Sequence, residues 1–186
     1  MNRSEEKLSF SPLSLPMELE NWTGSRGFHM PRKQVSLSAN LFCPESRQNL
    51  LQRIDYLYPK SRRHWGTMSL PQMLAHCSLQ IEIALGHYAA DPAGEFPYRL
   101  KICRFLHFYL LPFQGGKKTI PIMDMDLHPA ISPDFATQKM RLLSSISRFL
   151  DREELAPHPL FGRISSLQWG RLIWIHLNHH LIQFGQ

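Results

Sequence analysis

The chain is short of most features that would place it at a glance. It has only three cysteines, Cys43, Cys77 and Cys103, with no CxxC pair. An odd, dispersed set excludes a disulfide framework and points to free thiols in a reducing compartment, which makes the cytoplasm the expected location. No apolar stretch of the secretory-signal kind opens the sequence. The longest apolar run, Ile102 to Phe113, is interrupted by Arg104 and His107. It falls short of the roughly 20 residues a membrane helix needs, so no membrane partner is expected. No segment repeats, and no stretch alternates apolar and polar residues well enough to make a strand. Acidic residues are the scarcer charge, 15 against 21 Lys and Arg, leaving a net charge of +6. The basic residues are scattered, and no aromatic–basic recognition motif accompanies them, so the charge reads as a solvated surface and no nucleic-acid partner is expected. Gly115-Gly116-Lys117-Lys118-Thr119 resembles the tail of a phosphate-binding loop. It lacks the leading glycine and the preceding hydrophobic strand, which excludes that function.

What is present suits one all-α domain. The 186 residues, 43% of them hydrophobic, can bury a single core. Residues 1–33 are rich in Ser, Pro, Glu and Arg and show no lasting period, which predicts a poorly ordered tail. Met30 is a candidate start codon, and 34–186 is the expected domain. Four long helices are predicted near 44–58, 69–87, 133–151 and 165–184. The first opens at Pro44 and ends at Pro59, with Leu50, Leu51, Ile54 and Leu57 on one face. Ser69-Leu70-Pro71-Gln72 and Ser165-Ser166-Leu167-Gln168 are capping boxes. Ser132-Pro133-Asp134 is expected to cap the third helix, with the proline at its first position. The connection between the second and third long helices can cross the bundle, so these helices need not alternate in direction. Tyr98–Leu111 within it reads as an amphipathic helix packing outside the other four, anchored by Phe105, Phe108, Tyr109 and Leu110.

The chemistry gathers on two helices. At about 100° per residue, Trp169, Ile173, His176, His180 and Gln183 form one inward stripe of the last helix. Gln72, Met73, His76, Gln80 and Ile83 do the same on the second. Cys77 points away from that stripe, and His179 is expected on the rim. His-x-x-x-His on one helix face is a common way to present two nitrogens to one metal ion. The alternative is a set of core histidines satisfied by backbone carbonyls. Three in one core ask for a shared reason, since each left unsatisfied costs roughly 1–3 kcal/mol. Three neutral nitrogens hold a divalent cation and leave a position open, as catalytic sites do. His76, His176 and His180 should then converge on one spot.

These residues also carry a family resemblance over about Pro44 to Phe184. It rests on Trp65-Gly66-Thr67-Met68, Gln72-Met73-Leu74-Ala75-His76-Cys77, His158-Pro159-Leu160-Phe161-Gly162, and Trp169-Gly170 followed by His176-Leu177-Asn178-His179-His180-Leu181-Ile182-Gln183-Phe184-Gly185. The chain resembles the DinB/YfiT-like metalloenzyme superfamily and, within it, the DUF1569 proteins. That resemblance implies a four-helix bundle with a long helical crossover between its second and third helices. It also implies a mononuclear site of three histidines, whose ligands fall on His76, His176 and His180. His179 matches a position that is usually histidine but not a ligand. Many relatives continue His-His-Arg-Gly-Gln where this chain has His-His-Leu-Ile-Gln, so contacts made by that Arg are not carried over.

Members with known activity are thiol-dependent S-transferases, or isomerases with a thiol cofactor. The resemblance therefore implies a small-molecule substrate, a divalent ion (zinc first, then nickel, iron or manganese) and a low-molecular-weight thiol. A metal-dependent hydrolase is the variant. A metal-stabilised bundle or partner-binding protein is the non-enzymatic reading. A second copy of the chain is a candidate partner, because Leu167, Trp174 and Leu181 make the far side of the last helix apolar too. That face must meet the Tyr98–Leu111 segment or another chain. His158 is the candidate catalytic acid or base; Gln72 and Gln183 are candidates beside the ligands. Each of these three has a structural role as its alternative.

Overall fold

The computed structural model describes residues 36–89, 94–110, 123–125 and 134–186. The expected tail at 1–33, the candidate start Met30, Ser132-Pro133 and the glycine-lysine run at 115–119 lie outside them. Every regular element among the described residues is helical: α1 (Pro44–Tyr56), α2 (Leu70–Ala84), a short α3 (Lys101–Phe105) running into a π-helical turn (Leu106–Leu110), α4 (Phe135–Leu150) and α5 (Ser166–Gln183). The four long helices fall within about one turn of their expected bounds. None of the described helices is long and apolar enough to cross a membrane.

Local chemistry explains where the helices begin. In α2, Ser69 N donates to Gln72 Oε1 at 2.8 Å while Gln72 N donates to Ser69 Oγ at 3.4 Å. In α5, Ser165 and Gln168 make the same exchange at 3.0 and 3.2 Å. Both capping boxes form as read. The third cap is different: Asp134, not Ser132, is the N-cap, accepting from Thr137 N at 2.7 Å. A carboxylate serves this role well, because it also faces the positive end of the helix dipole.

α5 is the central element. It packs against α1, α2 and the π-helical turn, while α2 lies along α4. Fourteen of the 18 residues of α5 are buried, so it is covered on all sides. Its far face meets other parts of the same chain. Trp174 Nε1 donates to Ser46 O of α1 at 3.1 Å. Buried Arg171 donates to the carbonyls of Phe108, Ser36 and Ala39 at 3.1, 2.6 and 2.7 Å. Leu167 does not join this face; it is 63% exposed. On the other side of the fold, Arg141 of α4 grips Glu82 of α2 through two bonds of 2.9 and 2.7 Å.

The 98–111 segment departs from its reading in two ways. Regular helix starts only at Lys101, and the turn from Leu106 widens to π geometry. Phe108 is buried and Tyr109 packs on the core, but Phe105 is 50% exposed and is not an anchor. The wider π turn breaks the three-residue spacing that would have put Phe105 and Phe108 on one face. Phe105 instead pairs with the Tyr109 ring at 5.4 Å. Leu110's side chain and Leu111 lie outside the described residues. All three cysteines are free thiols.

Gly170 marks where α5 is approached most closely. A Cβ there would stand 2.4 Å from Asn40 Oδ1 and 2.8 Å from the Phe42 ring. Alanine is the better helix former by about 1 kcal/mol. Gly170→Ala should nevertheless destabilise the protein by about 1–2 kcal/mol net of that gain, because the loop at 40–42 must move. Urea denaturation checks the sign.

Candidate metal centre

His76 sits mid-way along α2, and His176 and His180 lie one turn apart on the facing side of α5. The fold brings all three together. His176 Nε2 is 2.9 Å from His76 Nε2 and 3.0 Å from His180 Nε2. The potential ligand atoms of the three all lie within 4.8 Å of one another, and all three side chains are buried. α2 and α5 are neighbours, as the convergence of the three histidines requires.

The outer nitrogen of each ring is held by an oxygen. His76 Nδ1 is 2.8 Å from the Met123 carbonyl, which can only accept. His180 Nδ1 is 2.8 Å from Gln183 Oε1. The orientation of that amide is set by its other end, since Gln183 Nε2 donates to the Trp65 carbonyl at 2.7 Å. His176 Nδ1 is 2.8 Å from Gln80 Oε1. The Met123 carbonyl and the anchored Gln183 amide put the ring protons of His76 and His180 on Nδ1, which turns their bare Nε2 lone pairs toward His176 Nε2.

Two acceptors at about 3 Å attract only when a proton or a cation lies between them. Protonation is opposed here. Burial first, and then the charges of neighbouring histidines, hold His176 and His180 well below the ordinary imidazole range. Burial lowers His76 too, partly offset by its bond to Met123 and by the charge of Asp124. Neutral, buried imidazoles with their outer N–H groups fixed are the form in which histidine binds metals. The donor set fits a divalent ion with three protein ligands and a position left open.

A family model described as "Protein of unknown function (DUF1569)" matches residues 44–186. The chain belongs to the DUF1569 family. No curated protein and no solved structure matches it. In this DUF1569 protein, the matched region contains α1 to α5 and all three converging histidines.

The other candidates are placed as follows. Cys77 is buried outside the cluster, its thiol 3.8 Å from Met73 Sδ and its pKa pushed up by burial. His179 was expected on the rim but is buried, its ring edge-on to Trp65 at 5.9 Å. The connector at 60–66 covers it, as a lone helix wheel cannot show. Gln72 is spent on its own capping box. Gln183 lies beside His180, its Oε1 2.8 Å from the ring's Nδ1.

His158 is not among the three. Its Nδ1 accepts from Leu160 N and Phe161 N at 3.0 and 3.3 Å, and its ring lies 4.7 Å from Phe161 and 4.9 Å from Trp169. With its backbone paired to Gly162 in both directions, it organises the Pro157–Gly162 turn.

Sequence reading missed two ring partners. Gln80 follows His76 by one turn on the same stripe, which was a usable signal. The Met123 carbonyl is main chain and leaves no trace in residue type.

His158 also sets a pH dependence. Burial pushes it from 6.5 down to about 3. The unfolded chain takes up a proton at this residue near pH 6.5, and the folded chain does so only near 3. Its stabilising contribution is therefore full above pH 6.5 and is lost as pH falls toward 3, at about 1.4 kcal/mol per pH unit. His158→Asn keeps a side-chain acceptor for the turn. Urea midpoints taken between pH 7 and pH 4 should show a slope shallower by about one proton in that variant.

Proposed function

We propose that this chain is a metal-dependent enzyme of the DinB/YfiT-like type. In this reading α1, α2, α4 and α5 form the family's four-helix bundle, with the segment between α2 and α4 as its crossover. His76, His176 and His180 would hold one divalent ion, zinc first. The reaction is thiol-dependent S-transfer to a small electrophilic substrate, carried out in a reducing compartment such as the cytoplasm. One observation carries the metal reading: three Nε2 atoms converge on one buried spot while every Nδ1 is held 2.8 Å from an oxygen. The thiol and the transfer chemistry are supported by the family resemblance alone.

A divalent ion held by three neutral nitrogens supplies Lewis acidity, which lowers the pKa of a thiol or water in its open position. The chain's own residues supply the rest. Gln80, Gln183 and the Met123 carbonyl hold the rings in the right tautomer and orientation. Burial keeps the imidazoles neutral and therefore available as ligands. In the transfer, the thiol's proton passes to solvent, its sulfur forms a bond to the electrophilic carbon, and the leaving group departs with the electron pair and takes up a proton from solvent.

Metal analysis of the protein purified and reconstituted with zinc, nickel, iron or manganese tests the first half. One ion per chain is expected. At a hundred times Kd it should add about 2.7 kcal/mol of stability. His180→Ala should lose the ion while keeping most of its helix content by circular dichroism. A wild-type chain that takes up no stoichiometric ion overturns the metal reading. The cobalt(II) form tests the second half: added thiols should produce a sulfur-to-cobalt charge-transfer band. Metal binding without that band leaves hydrolysis or a purely structural ion and removes S-transfer.

A further inference from the structure

The two glutamines behind the histidines are held differently. Gln183 is fixed at both ends: its Oε1 faces His180 Nδ1 and its Nε2 donates to the Trp65 carbonyl. Gln80, buried on α2, has its amide 2.8 Å from His176 Nδ1, and among the described residues no second hydrogen bond anchors its other end. A half-turn of that amide exchanges its oxygen and its NH2 at the ring. Gln80 can therefore accept from His176 Nδ1 or donate to it. The Met123 carbonyl and the anchored Gln183 oxygen can only accept from the other two rings. His176 is also the middle ring, its Nε2 lying 2.9 Å from His76 Nε2 and 3.0 Å from His180 Nε2. Both neighbours turn lone pairs toward it, so these distances need a proton on His176 Nε2 or a cation among the three.

We propose that Gln80 is a tautomer switch for His176, a positioning residue that lets the same three rings hold either a shared proton or a divalent ion. The proposal rests on the metal reading above. Without an ion, one neutral arrangement satisfies every ring: His176 carries its proton on Nε2 and shares it with His76 and His180, while its bare Nδ1 accepts from the Gln80 NH2. With an ion on the three Nε2 atoms, the His176 proton sits on Nδ1 and Gln80 presents Oε1, the orientation of the 2.8 Å contact. In passing from one state to the other, the ring gives its Nε2 proton to solvent and takes one up at Nδ1. It stays neutral throughout, as a buried group should. Only an amide and one proton move, so the ion enters without repacking the core.

The test is a long-range proton–nitrogen correlation spectrum of protein carrying isotope-labelled histidine, which reads the protonated nitrogen of each ring. It is recorded after stripping with a chelator and again with zinc. In the stripped protein His76 and His180 should be protonated on Nδ1 and His176 on Nε2; with zinc all three should be protonated on Nδ1. Gln80→Glu, which can only accept, should place a proton on His176 Nδ1 even in the stripped protein. Gln80→Met keeps the length and loses both hydrogen-bonding roles. It should leave the stripped tautomers as they are and weaken zinc by about 10- to 100-fold in competition with a chromophoric chelator. A stripped wild type with His176 protonated on Nδ1, or on both nitrogens, overturns the switch, and the metal reading stands if zinc still binds. A zinc affinity unchanged in Gln80→Met, or a stripped Gln80→Glu spectrum identical to wild type, removes Gln80 from the switch. If zinc does not bind the wild-type chain, the metal reading has failed and the switch with it.

Discussion

Three imidazole rings with their Nε2 atoms gathered at one point inside a protein core are the constraint on which the surrounding structure turns, and their outer nitrogens show how it is imposed. Neutral rings left to themselves would turn so that one ring's N–H met another's lone pair. Here every Nδ1 is already held by an oxygen. The three acceptors come from three places: Gln80 on α2, Gln183 on α5 and the carbonyl of Met123. Freeing a ring to rotate would break a buried bond and leave its acceptor bare, at roughly 1–3 kcal/mol each. The convergence is therefore enforced from outside the cluster.

That enforcement can be traced outward residue by residue. Gln183 orients His180 only because its other end reaches the Trp65 carbonyl. It passes a glycine on the way: a Cβ on Gly66 would lie 2.5 Å from Gln183 Nε2, and Gly66 also has φ +80°. A side chain there would be strained in its own backbone and would collide with the amide that holds the ligand. The connector in turn is tied to α5 by His64 N donating to Gln183 O at 2.8 Å. The Trp65-Gly66 pair thus reaches the histidine cluster through packing and one hydrogen bond, both made to Gln183.

Most of this was legible where periodicity carries the information. The two histidine stripes, the helices bearing them and both capping boxes follow from spacing alone, because burial on a helix repeats every 3.6 residues. Three kinds of feature did not follow. The Met123 carbonyl is chemically identical on every residue. His179's burial depends on a connector whose path no local pattern records. Phe105's exposure comes from a π turn, which shifts the register by one residue without a sequence signature. His158 was visible as a histidine near the last helix, but its hydrogen bonds to Leu160 and Phe161 are local turn chemistry.

The same architecture decides how metal binding and folding relate. In small metal domains the site forms only when the ion binds, so binding energy is folding energy. Here the helices carrying the ligands are joined by contacts that owe nothing to the cluster. Arg53 of α1 donates to Asn178 Oδ1 at 2.6 Å and to the Gln186 carbonyl at 3.1 Å, fixing α1 to the C-terminal end of α5. Trp174 and Arg171 hold the other faces of α5, and Glu82 with Arg141 joins α2 to α4. A helix with fourteen of its 18 residues buried, packed against α1, α2 and the π-helical turn, does not need an ion to stay in place. The histidine triad is thus a preformed site in a self-sufficient core. A cation would find the three rings already gathered by these contacts rather than having to gather them itself.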